Sequence, residues 1–169
     1  MIRVVSIAFA ALLTTSCAAE AEPKVEPALE LTGRVVDAAG ILSPEFEKQV
    51  TTRLARVEED TLVQLVVATT PTLDGNNINE YSLDLANAWG LGDAKRNDGL
   101  LVLVAPKERR VRIEVGYGLE KAVTNDEAQT IIDKKILPHF RGGDFETGIS
   151  KGVDELVQEV TPVEMKEAA

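Results

Sequence analysis

The chain has 169 residues, 18 Lys and Arg against 28 Asp and Glu, one histidine and one cysteine. A net charge of -10 with no Lys/Arg cluster argues against nucleic acid, whose phosphates are bound by grouped cations. A single Cys17 leaves no partner for an internal disulfide, and only 4% aromatic content asks for a core of Val, Leu and Ile.

In chain order, residues 1–16 read as a signal peptide. Arg3 precedes an apolar run from Val4 to Leu13 and then small residues. That run is too short to span a bilayer. Cys17 follows it as in a bacterial lipoprotein signal, where the cysteine carries the lipid. Thr14 stands where such signals favour Leu, and cleavage near Ala18 or Ala19 is the competing reading. Residues 17–30, rich in Ala, Glu and Pro, read as a disordered tether. Residues 31–160 form the domain, and 161–169 a frayed tail.

Within the domain, Arg34–Asp37 is a short extended segment. Ser43-Pro44 opens a helix carrying Leu42, Phe46, Val50, Leu54 and Val57 at helical spacing. Leu62–Ala68 is a strand of the kind covered on both faces. Ile78, Tyr81, Leu85 and Trp89 stripe a second helix stopped by Gly90. Leu100–Ala105 is a second buried strand, Pro106–Arg109 a turn, and Val111, Ile113 and Val115 alternate with Arg112 and Glu114 in an edge strand with one wet face. Thr124 and Glu127 make a capping box for a helix running to Pro138. Asp144 caps a last helix through Ile149, Val153, Leu156 and Val160. Two buried strands joined by a helix predict a parallel, right-handed pair, with the hairpin adding an antiparallel strand. The result is a small layered α/β domain with helices on both faces.

Counting outward from the Pro106–Arg109 turn pairs Leu103 with Arg112, Leu101 with Glu114 and Gly99 with Gly116. One rim then collects Glu59, Asp60, Asp98 and Glu120, with Asp126 six residues on. Clustered carboxylates beside open glycines suit a hard cation, which takes six to eight oxygens. A solvated acidic rim with turn glycines is the plainer reading, since no spacing matches an EF-hand loop. Gly116 or Gly118 is predicted to have positive φ or to lie against the Asn97–Gly99 backbone. The glycines of Gly90-Leu91-Gly92 and Gly116-Tyr117-Gly118 do not make a dinucleotide fingerprint, which needs a third glycine opening a helix after a strand.

The train Val36–Leu42, Trp89–Gly92, Asn97–Ala105, Arg110–Glu120, Thr124–Asp126 and Gly143–Phe145 closely resembles the TPM domain family. That family includes thylakoid-lumen proteins of photosystem II repair, an accessory protein of animal acetylcholine receptors and many exported bacterial proteins. The resemblance implies a three-layer α/β/α Rossmann-like sandwich around a mixed sheet of about four strands. It also implies placement outside the cytoplasm, binding of a divalent cation in some members, and a phosphatase attribution. Bacterial members often carry a C-terminal membrane helix or Gly-rich tail. This sequence reaches Ala169 with neither, which directs the expected anchor to Cys17.

Two functions from different classes follow. The first is an exported binding module that holds calcium or magnesium at the acidic rim and serves a membrane or envelope protein complex. It touches the membrane only through a lipid at Cys17, or is soluble in the periplasm if Cys17 is not lipidated. The second is a metal-dependent phosphomonoesterase. The domain has no thiol nucleophile, and the lone His139 after Pro138 reads as structural, so carboxylate-held metal activating water is the chemistry left. The candidate ligands are Asp37, Asp98, Glu120, Asp126 and Asp144. Asp126 and Asp144 have alternative roles at helix starts, and Asp37 in closing the turn to Gly40.

Overall fold

A computed structural model describes residues 29–161. The expected signal peptide, Cys17, most of the tether and all but the first residue of the tail lie outside the described residues. The elements are β1 (Val35–Asp37), α1 (Pro44–Thr61), β2 (Gln64–Thr69), α2 (Ile78–Trp89), β3 (Gly99–Ala105), β4 (Arg110–Val115), α3 (Asn125–Ile131), α4 (Leu137–Phe140) and α5 (Phe145–Val160). A 3-10 turn covers Tyr117–Leu119, and a π turn, Ile132–Ile136, joins α3 to α4. No described helix is long and apolar enough to cross a membrane.

The sheet runs β1-β2-β3-β4, parallel across the first three strands and antiparallel at the hairpin. Leu101↔Glu114, Leu103↔Arg112 and Ala105↔Arg110 pair as the turn predicts. Alternation along the strands splits the core in two. Val35, Leu65, Val67, Val102 and Ile113 face α1, α3, the π turn and α5. Val36, Val66, Ala68, Leu101 and Leu103 face α2. This is the expected sandwich, a four-stranded mixed sheet with helices on both faces. β1, β2 and β3 run side by side in one direction with α1 and α2 on opposite faces. Their two crossovers therefore have opposite hands, and one departs from the usual right-handed rule.

Caps set the helix ends. Ser43 Oγ accepts the Phe46 amide, with Pro44 in the first turn. Thr124 and Glu127 form the complete capping box. Asp144 accepts the Thr147 amide at 3.1 Å. Gly90, at φ 59, closes α2.

Four local expectations shift. Leu62 is not the first residue of a strand: it ends α1 at φ 64 with its side chain 58% exposed. The Arg112/Glu114 face of β4 is not wet, because α2 lies over it and Ser82 Oγ donates to Glu114 at 2.9 Å. The third helical run does not end at Pro138. The π turn ahead of it widens the ladder, where a missing amide is tolerated, and the chain stays helical to Phe140. Leu29, which the sequence reading puts in the tether, packs on the α2 side of the core, and its carbonyl accepts the Trp89 indole N–H at 2.9 Å.

Candidate functional site

The register Gln64↔Gly99 sets the start of β2 beside the start of β3, and the end of β4 joins them at Gly116. Three loops meet there backbone to backbone. Gly116 N donates to Gly99 O at 2.9 Å and Gly118 N to Asn97 O at 3.0 Å. A Cβ on Gly116 would lie well inside 3.0 Å of the Asn97 oxygen, and one on Gly118 well inside 3.0 Å of the Arg96 oxygen. Gly116 itself has φ -65, so close approach rather than positive φ explains the glycine. The third loop was not foreseen. Gly92, at φ 84, would carry a Cβ into the Gly99 amide, and Gly99 would carry one to 2.6 Å from the Leu91 carbonyl. Gln64 locks this junction: its side-chain Oε1 accepts Gly92 N at 2.6 Å while its backbone N–H donates to Asp98 O at 3.1 Å.

Asp98 is only 6% exposed. One carboxylate oxygen accepts the Asp93 amide at 2.8 Å and the other the Arg96 guanidinium. The hydrogen bond to Asp98 holds the Arg96 proton more firmly than usual. Asp93 in turn accepts the Lys95 and Arg96 amides, at 2.9 and 3.1 Å, and those bonds lower its pKa. The loop is thus a tight turn closed by its own charges, and Asp98 is the centre of it.

The other expected ligands divide between the two ends of the sheet. Asp37 pairs with Thr69, five rungs from Gln64, so it sits about 17 Å along the strands from the glycine junction. Its carboxylate accepts the amides of Ile41 and Leu42 at 3.3 and 2.9 Å and the Thr69 hydroxyl, which closes the turn at Gly40. Asp144 caps α5 near that same far end, beside the β3–β4 turn. Its Thr147 partner lowers its pKa. His139 lies on α4, well away from the junction. Asp126 is exposed in the first turn of α3. Glu59 and Asp60 are exposed in the last turn of α1. Glu120 alone among the five borders the cavity at the glycine junction.

Among the described residues no three Asp, Glu, His or Cys side chains gather as metal ligands. With Asp98 engaged by Arg96 and Asp37 at the other end, the junction has Glu120 as its free carboxylate. That set does not fit a closed site for a hard cation, which needs six or more oxygens.

The junction does open into a cleft of about 500 Å³ between α2, β4 and the start of α3. Its walls hold Asn87, Asn97 and Asn125, with Glu120 at one side and the Arg112–Glu114 pair at the other. Arg112 Nε lies 3.1 Å from Glu114, so those two charges answer each other. Tyr117 stands 81% exposed beside it, and Leu83 of α2 48% exposed across from it.

The TPM domain family model matches residues 35–159. The solved N-terminal domain of a protein from P. gingivalis is 36% identical at a TM-score of 0.71, covering 81% of this chain and 87% of that one. The N-terminal domain of the cg2496 protein from Corynebacterium glutamicum is 16% identical at 0.61, over 88% of each chain. The BA42 protein from the psychrophilic bacterium Bizionia argentinensis is 20% identical at 0.61, over 70% of this chain and 81% of that one. The last two bear on the fold alone. No curated protein matches the chain. A family match across nearly all of the described domain carries the conclusion that the chain belongs to the TPM domain family.

Proposed function

We propose that the domain is a binding module whose junction cleft takes an extended, basic segment of a partner protein. The supporting observation is the pair Tyr117 and Leu83, two large apolar side chains held out to solvent on either side of one cleft. Exposed aromatic anchors beside a concave surface are the usual energetic centre of an interface. The three asparagines offer donors and acceptors to a peptide backbone. Glu120 is the uncommitted charge of the wall, and the chain's balance of -10 favours a basic partner. The leader expected from the sequence and the accessory roles of the family it resembles favour a partner in an envelope or membrane complex. The cation expected at the rim is not needed for this reading. The phosphomonoesterase alternative draws on the family attribution.

The test is selection from a displayed peptide library on the full chain, followed by affinity measurement. Enriched peptides should be basic, and Tyr117→Ala and Glu120→Lys should each weaken them at least tenfold. Peptides that bind both variants as well as the native chain would remove the cleft from the account.

A further inference from the structure

At the other end of the hairpin a second cleft, of about 580 Å³, opens between the β3–β4 turn, α4 and the start of α5. Its floor is apolar: Ala105 of β3, Leu137 and Phe140 of α4, and Phe145 of α5. The Phe140 and Phe145 rings meet edge to face, with centroids 4.9 Å apart at 65°. Its walls carry three arginines, Arg109, Arg110 and Arg141.

Arg34, Arg53, Arg96 and Arg112 each pair with a carboxylate. Among the described residues Arg109, Arg110 and Arg141 make no ion pair, although acids outnumber bases throughout. Of the other described arginines, Arg56 alone is likewise outside any ion pair. Of the carboxylates close by in sequence, Asp144 accepts the Thr147 amide, and Glu108 Oε1 accepts the Thr72 hydroxyl and the Leu73 amide at 2.9 and 3.1 Å while its buried Oε2 has no partner among the described residues. Arg110 borders the hollow that Glu108 lines but forms no ion pair with it. Three exposed guanidinium groups beside an apolar floor offer an organic anion charge and apolar contact together.

We infer that this cleft binds an organic anion with an aliphatic body, of the single-chain carboxylate type. Guanidinium groups hold a carboxylate through paired, charge-assisted hydrogen bonds. The volume is that of an ordinary small-ligand pocket, about 300–1,000 Å³, with few polar groups above an apolar floor. A flexible chain follows a wall of one ring face and one ring edge better than a flat aromatic ligand does. The concave shape favours a discrete molecule over a bilayer surface. The site lies at the opposite end of β4 from the junction cleft and is independent of it.

The probe is sodium decanoate, kept below its micellar concentration and titrated into the isotope-labelled full chain while amide resonances are followed. Decanol supplies the chain without the charge, and acetate the charge without the chain. Saturable shifts are expected at Gly142, Gly143, Phe145 and Lys107–Arg110, with decanol and acetate each at least tenfold weaker. Arg110→Gln combined with Arg141→Gln should cost at least tenfold in affinity. Both side chains are exposed and unpaired, so the variant keeps the native spectrum elsewhere. Shifts spread over the whole surface, decanol binding as tightly as decanoate, or affinity unchanged in the double variant would each overturn the site. Anionic vesicles that bind the chain when decanoate does not would do so too.

Discussion

Gly118 leaves no room for a side chain against the main-chain oxygen of Arg96: the nearest approach of an added Cβ is far below any seen in real contacts. Gly116 stands in the same relation to Asn97. Neither neighbour is a flexible side chain, so the backbone itself must move. Gly118→Ala and Gly116→Ala are each expected to lower stability by about 1–3 kcal/mol, in the range of overpacked cores. Gly33, with nothing within 4 Å of an added Cβ, is the control, and Gly33→Ala should stay within about 0.5 kcal/mol. Denaturant unfolding of the three variants decides it. Equal midpoints would mean that the loops give way freely.

Asp98 is expected to matter for folding. Asp98→Ala leaves the Asp93 amide and the Arg96 guanidinium without their acceptor. A loss of about 1–3 kcal/mol follows, as for buried groups deprived of a partner. Arg96 is half exposed and recovers part of its solvation. Arg96→Ala should then be destabilising too, and the double variant less so than the sum of the two. Asp98→Ala with native stability would contradict a structural role and return this carboxylate to the list of ligands.

Calcium titrated into the folded chain should bind no more tightly than about a millimolar dissociation constant, the weak end for oxygen-ligand sites. One free carboxylate cannot do more. Any residual heat should vanish in Glu120→Gln. Micromolar binding would show that the rim rearranges around the ion.

Glu127 and Asp144 link stability to acid. The Thr124 amide and hydroxyl lower the pKa of Glu127, and the Thr147 amide and hydroxyl that of Asp144. A carboxyl with a depressed folded pKa contributes fully above its unfolded value, near 4, and loses that contribution as pH falls through the folded value. Unfolding midpoints measured from neutrality down to about pH 2 should therefore fall more steeply for the native chain than for Glu127→Gln/Asp144→Asn. Parallel curves would show that these caps carry no proton linkage.

The hairpin could be read from the sequence because one turn fixes every rung beyond it, so Gly99 opposite Gly116 followed by counting. The strands and caps followed from alternation and from Ser43, Thr124 and Asp144. The Gly92–Gly99 approach could not be read, because a loop without period gives no register, and only the folded return of α2 brings Gly92 to β3. Arg112 and Glu114 looked solvated because alternation reports polarity, and a helix carrying Ser82 can satisfy polar groups under cover. Five acids were read as one set although the order of the strands divides them. Arg96, two residues before Asp98, was the available sign that this carboxylate already had a cation. Nothing local to Arg109-Arg110 points to Arg141, which reaches the same cleft only through the packing of α4 on α5.

The π turn at Ile132–Ile136 has a consequence for the phase of the rod that contains it. A wide turn fits one extra residue into the helical ladder, so side chains beyond it are turned relative to those before it. Ile136 and Phe140 come to rest against Gly148 and Gly152 of α5, whose missing side chains leave space only for partners at that angle. Deleting one residue from the turn would restore a uniform rod of about 100° per residue and swing Phe140 away from that groove. The floor under the arginines depends on this angular offset, so a change of length within the segment displaces it.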